Sequence, residues 1–99
     1  MLIVLYRWRV KSQLEQQFIE SWSEVTSYFR RKYDSLGSRL HCGSDGLFYG
    51  YAQWKSAEQR ASAFAGGNPE ISVAGAKMRE AIEESFPEVV LEQIADYLV

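Results

Sequence analysis

The chain contains one cysteine and one histidine, and this scarcity excludes several classes of chemistry at once. A lone cysteine forms no intramolecular disulfide. A lone histidine without a cluster of further ligands at suitable spacing leaves zinc and other transition metals no site. No apolar run approaches the roughly 20 residues needed to cross a bilayer. The apolar start, Met1 to Tyr6, is too short for a signal peptide and lacks its basic leader, so a reducing cytoplasm is the expected location. A basic excess is missing too: 11 Lys and Arg stand against 13 Asp and Glu, for a net charge of -2. Nucleic-acid binding needs a concentrated basic patch. Here the basic residues are scattered apart from Arg30-Arg31-Lys32, which falls at the end of a predicted helix, where cations offset the exposed carbonyls. Neither a nucleic-acid nor a membrane partner is expected. There is no GxSxG elbow, no HExxH helix and no glycine-rich phosphate loop. The Gly66-Gly67 pair follows a predicted helix and terminates it.

What is present is an ordinary globular mixture, 46% hydrophobic and 24% charged over 99 residues, which predicts a single domain over 1–99. Residues 2 to 10 (LIVLYRWRV) are β-branched and aromatic. Alternation divides them into Leu2, Val4, Tyr6, Trp8 and Val10 on one face and Ile3, Leu5, Arg7 and Arg9 on the other. Ser12-Gln13-Leu14-Glu15 has the form of a capping box. It opens a helix whose stripe of Leu14, Phe18, Trp22, Val25 and Phe29 recurs at helical spacing and which ends over Asp34 to Gly37. Leu36 to Cys42 and Leu47 to Trp54 read as antiparallel strands joined by the turn Gly43-Ser44-Asp45-Gly46. A second capping box, Ser56-Ala57-Glu58-Gln59, starts a short helix. Asn68-Pro69 then opens another, which carries Ile71, Ala74, Met78 and Ile82 inward and closes at Pro87. Residues 88 to 99 (EVVLEQIADYLV) predict a long last strand.

The order β-α-β-β-α-β, with crossovers long enough to be right-handed, predicts an α+β fold of the ferredoxin-like type: a four-stranded antiparallel sheet with helices on one face. Helices cover only one face. Ile3, Leu5 and one set of the last strand need a second cover, which two sheets packed face to face as a homodimer would supply.

YRWRVK at 6 to 11, Phe18 and Trp22, SLGSRLH at 35 to 41 and YGYAQWKSAEQ at 49 to 59 carry a resemblance to the antibiotic biosynthesis monooxygenase-type family of small dimeric α+β barrel proteins. The resemblance spans nearly the whole chain in element order, with Gln53-Trp54-Lys55-Ser56 its most characteristic stretch. It implies a dimeric α+β barrel, a small hydrophobic cavity in each protomer, and oxidation of an aromatic or polycyclic substrate by oxygen without metal, flavin or other cofactor. A haem-degrading branch of the same family would carry a catalytic Asn on the first strand and Trp and His on the helices. The corresponding stretches here read YRW and RASAFAGGNPEISVAGAKMRE, so haem ligation of that kind is not implied.

His41 and Cys42 are neighbours on a strand and point to opposite faces, so they form no dyad within one chain. Cys42 shares a face with Leu36, Ser38 and Leu40 and reads as a buried, inert thiol. His41 reads as a surface or hairpin-end residue; within a cavity it would be a general base, since a free imidazole titrates near about 6.5. Arg7, Arg9 and Arg39 either pair with Glu92 or Asp96 of the last strand or hold a carboxylate, phenolate or enolate ligand. Tyr49, Tyr51 and Gln53 are equally consistent with pocket lining and with cross-strand packing. The leading reading assigns His41 and Arg7 to proton transfer and anion stabilisation, with Arg9, Arg39, Tyr49, Tyr51 and Gln53 at the substrate. Its competitor is a non-catalytic dimeric binding or accessory protein whose cavity is filled by its own side chains.

Overall fold

The computed structural model describes residues 1–98. Strand β1 (Leu2–Val10) leads through a 3-10 turn at Ser12–Leu14 into the long helix α1 (Glu15–Tyr33). Strands β2 (Gly37–Cys42) and β3 (Phe48–Trp54) form a hairpin, followed by α2 (Ala57–Ala65), α3 (Ser72–Ala81), and two short strands, β4 (Ile82–Ser85) and β5 (Val89–Glu92). The sheet is antiparallel in the order β2-β3-β1-β4, with β5 pairing further along β1.

The two faces of β1 divide as alternation requires. Val4 and Trp8 are buried against α1, with Leu2, Tyr6 and Val10 packed around them. Phe18 and Phe29 of the α1 stripe are buried, and Leu14, Trp22 and Val25 pack beside them. On β3 the helix-facing set Phe48, Gly50, Ala52 and Trp54 is buried throughout. Gly50 is required at its place: a Cβ there would lie 2.8 Å from the Trp8 ring.

Local signals fared unequally. Ser56 caps α2 by accepting the Gln59 amide at 3.1 Å, and the Gln59 carboxamide oxygen accepts from the Lys55 amide at 2.8 Å. The Ser12 capping box does not form; Ser12 lies inside the 3-10 turn, and α1 begins without a side-chain cap. At the other end, Asp34 adopts a left-handed conformation (φ 55°) and its amide returns to the Phe29 carbonyl, closing α1 with Arg30, Arg31 and Lys32 in the last turn. Asn68 does not cap the next turn. Its carboxamide oxygen accepts the hydroxyls of Tyr28 and Tyr33, each at 2.9 Å, and its nitrogen donates to the Ala63 carbonyl.

The C-terminal third differs most from expectation. The helix after Pro69 stops at Ala81, and Ile82–Ser85 is strand. The predicted strand over 88–99 is confined to Val89–Glu92, and its last residue, Val99, lies outside the described residues. One side of β1 is shared: Trp8 to Val10 pair with β4, and Leu2 to Leu5 with β5. The fourth position of the ferredoxin-like sheet is therefore filled by two short strands. Just beyond the last β5 pair, Glu92 with Leu2, the Gln93 amide donates to the Met1 carbonyl at 3.4 Å.

Candidate functional site: an aromatic cavity under the long helix

His41, Arg7, Arg39, Tyr49, Tyr51 and Gln53 share the sheet face turned away from the helices. Register places His41 opposite Tyr49 and Tyr49 opposite Arg7; beside them Arg39 faces Tyr51, and Gly37 faces Gln53. His41 is exposed near the hairpin end, in line with its surface reading. Tyr49 donates its phenolic hydrogen to Asp45 in the turn. That bond, with a second from the Leu47 amide, holds the Asp45 carboxyl below its ordinary range and pushes the Tyr49 phenol up. The Arg7 guanidinium lies 5.3 Å from the Phe86 ring centre, and its buried Nε has no partner.

The expected ion pairs to Glu92 and Asp96 are not made. Arg9 instead reaches Glu84 at 3.5 Å and Glu83 at 3.9 Å, because β4, absent from the sequence reading, runs beside the end of β1. Arg7 and Arg39 form no ion pair among the described residues. Cys42 is exposed, not buried. It is the last residue of edge strand β2, opposite Phe48, where only one neighbouring strand shelters it.

A largely apolar, partly open space lies on the helix side of the sheet. A cavity of about 200 Å³ is walled by Tyr6 and Trp8 of β1, Trp22 and Phe29 of α1, Trp54 of β3 and Met78 of α3, among others. Gly50 and Ala52 of β3 also line it. Tyr6 and Trp8 stack nearly parallel, 5° between ring planes and 5.5 Å between centres, although both lie on the same strand face. The Tyr6 hydroxyl accepts a hydrogen bond from Arg60 at 2.9 Å, and the same Arg60 nitrogen donates to Glu88 at 2.8 Å. Burial opposes the Arg60 charge, but the bonds to Glu88 and Tyr6 outweigh it and raise the guanidinium's proton affinity. Tyr6 thus combines a ring in the cavity wall with a hydroxyl polarised by a cation.

A second, more polar cleft of about 400 Å³ adjoins the first, sharing Trp22, Thr26 and Ser38 with it. Arg39, Tyr51 and Gln53 line this cleft. Tyr6 and Arg60 escaped the sequence reading for different reasons. Tyr6 belonged to the core-facing set, and nothing local indicates that Arg60 of α2 reaches back across 54 residues to it.

A ferredoxin-like α+β protomer with an aromatic cavity between sheet and helices is the class that these observations define. No protein-family model matches the sequence, and no curated protein sequence matches it. Solved structures do match. SnoaB from Streptomyces nogalater, a cofactor-independent oxygenase crystallised as its N63A mutant, is 14% identical over 97% of this chain and 95% of its own, with a TM-score of 0.78. A structure named antibiotic biosynthesis monooxygenase is 13% identical over 96% of this chain and 100% of its own, with a TM-score of 0.74. Rv0793 from Mycobacterium tuberculosis is 13% identical over 98% of each chain, with a TM-score of 0.75. The likeness read from the sequence is borne out at the level of the fold. Among the described residues, no helix is long and apolar enough to cross a membrane.

Proposed function

We propose that this protein is a homodimeric, cofactor-independent monooxygenase for a small aromatic substrate bound under α1. The cavity carries the reading: aromatic walls from Tyr6, Trp8, Trp22 and Trp54 suit a flat ring, and the Arg60-held hydroxyl of Tyr6 is a polar group for one oxygen of that ring. The Tyr6 oxygen already accepts from Arg60, so its own hydrogen is left to donate to a phenolate. SnoaB, which shares the fold, is named as an oxygenase of this kind.

A phenol needs no external reductant for such a reaction. In 1-naphthol, loss of the phenolic proton moves electron density onto the para carbon, which gives its electrons to oxygen. The ring C–H becomes C=O, one oxygen atom enters the naphthoquinone, and the other leaves with two hydrogens as water. In this reading His41 and Arg7 lie on the opposite sheet face and serve the dimer interface rather than the chemistry.

The dimer is supported by the apolar surface left uncovered. Val89 and Leu91 lie exposed on the open sheet side beside Leu5 and Ile3, and beyond them Ile94 and Tyr97 are 95% and 96% exposed. A monomer would hold this strip in water; a second copy packing sheet to sheet removes it.

Oxygen consumption with 1-naphthol, followed with an electrode and by quinone absorbance, tests the activity. Uptake abolished by Tyr6→Phe supports the oxygenase reading. Binding of 1-naphthol without uptake would transfer the cavity to the accessory or binding class.

A further inference from the structure

The Arg30-Arg31-Lys32 run behaves as a simple helix terminus only in part. Lys32 pairs with Glu70 at 3.3 Å. Arg31 is exposed and lines neither cavity, whereas Arg30 lines the polar cleft between α1 and the free edge of β2. Arg39 belongs by register to the sheet face turned away from the helices, but β2 is the edge strand and Arg39 borders the same cleft there. Neither arginine forms an ion pair among the described residues, and no Asp or Glu lines the cleft. Two cations share a concave site with no anion to neutralise them.

One other group in the cleft is also disposed to donate. Tyr51 accepts from the Gln53 carboxamide nitrogen at 3.0 Å, which leaves the Tyr51 hydrogen for a third party. Gly37, at φ 100°, forms the strand edge here, and a Cβ built on it would meet nothing within 4 Å. There is therefore open space beside Gly37. Trp22, Thr26 and Ser38 line both this cleft and the aromatic cavity, so the two spaces are neighbours along these three residues.

We infer that the cleft is an oxyanion subsite continuous with the aromatic cavity, and that the ligand is an aromatic acid with its ring under α1 and its carboxylate between Arg30 and Arg39. Guanidinium groups match a carboxylate's two oxygens with parallel N–H donors, which a neutral amide cannot reproduce. This rests on the cavity holding the aromatic ring, as proposed above, but not on any turnover. The net charge of the ligand becomes a selection rule: acids are favoured over neutral isosteres, and amines are repelled.

Titration calorimetry on the full chain with 2-naphthoate, 2-naphthamide and 2-naphthylmethylamine tests it. The naphthoate is expected to bind roughly 10-fold more tightly than the amide, since these arginines are exposed and partly screened, with the amine weakest. Arg30→Gln and Arg39→Gln should each cut that preference several-fold, whereas Arg31→Gln leaves it intact; thermal melts verify that all three variants are folded. Equal binding of acid and amide overturns the subsite while leaving the cavity reading in place. A preference that survives both arginine substitutions overturns it as well. If no naphthyl probe binds, the subsite falls together with the cavity reading, whatever oxygen uptake shows.

Discussion

Tyr49 donates its phenolic hydrogen to the carboxylate of Asp45, four residues earlier, tying the third strand to the turn that precedes it. The bond lowers the Asp45 proton affinity and raises that of Tyr49, so it is weakened at both ends of the pH scale. The depressed Asp45 group contributes stability above its unfolded value of 3.8, lost as pH falls through the lower folded value. The raised Tyr49 group contributes below its unfolded value of 10.0, lost as pH rises through the higher folded one. Carboxyl NMR should place the Asp45 midpoint below 3.8 in the native protein and move it upward in Tyr49→Phe. An unchanged midpoint in that variant would show that the phenol is not the cause.

Gly50 is fixed by Trp8. A Cβ at position 50 would sit 2.8 and 2.9 Å from two atoms of the indole, and that ring is itself held by stacking on Tyr6 and by an edge contact with Phe18 at 5.2 Å. Relief would require Trp8 to shift within a packed layer. Gly50→Ala is expected to cost about 1–3 kcal/mol of unfolding free energy, the usual range for overpacking, measured by urea denaturation. The displaced indole would also enter the cavity, so 1-naphthol binding should fall in the same variant.

Those two relationships differ in how far the sequence announces them. The alternation of β1 and β3, the helical stripe of α1 and the Ser56 cap are local patterns, and each places its residues correctly. The strand Ile82–Ser85 is not locally visible. Ile82 follows Met78 by four, and Glu83-Glu84 reads as the polar face of a continuing helix; only pairing with β1, more than 70 residues away, makes it a strand. The same pairing gives Arg9 its Glu84 partner and excludes the expected ones. The cavity was hidden because its walls come from β1, α1, β3 and α3, and no local pattern shows that side chains so far apart in sequence surround one space. Arg39, Tyr51 and Gln53 were legible as polar groups on one face, yet the cleft they line depends on α1 bringing Arg30 and Trp22 alongside.

Arg60 links two elements through one nitrogen, donating to Tyr6 on β1 and to Glu88 just before β5. Replacing it with methionine keeps the aliphatic stem against the cavity wall while removing the donor. If the polarised Tyr6 hydroxyl stabilises a phenolate, Arg60→Met should lower the rate of 1-naphthol oxidation by about tenfold or more, since a charge-assisted bond is worth roughly 1.5–3 kcal/mol. His41→Ala, on the other face, should leave the rate unchanged. Loss of activity in His41→Ala with retention in Arg60→Met would move the chemistry to the sheet face.

Leu91 lies opposite Ile3 and is 42% exposed on β5, a strand paired on one side only, with β1. Ile3 is buried, but Leu91 is not, so the sheet's apolar face ends in a strip that solvent reaches in the isolated protomer. A sheet-to-sheet dimer would bury Leu91 near the centre of the contact and bring the tail residues Ile94 and Tyr97 onto the partner. Leu91→Glu would then place two carboxylates, one from each copy, in a low-dielectric contact, where neither has a partner. Light scattering should report a dimer for the native protein and a monomer for Leu91→Glu, while far-UV circular dichroism is retained because the substituted side chain is exposed within its own protomer. A native monomer at micromolar concentration would mean that the strip is covered by something other than a second copy of this chain.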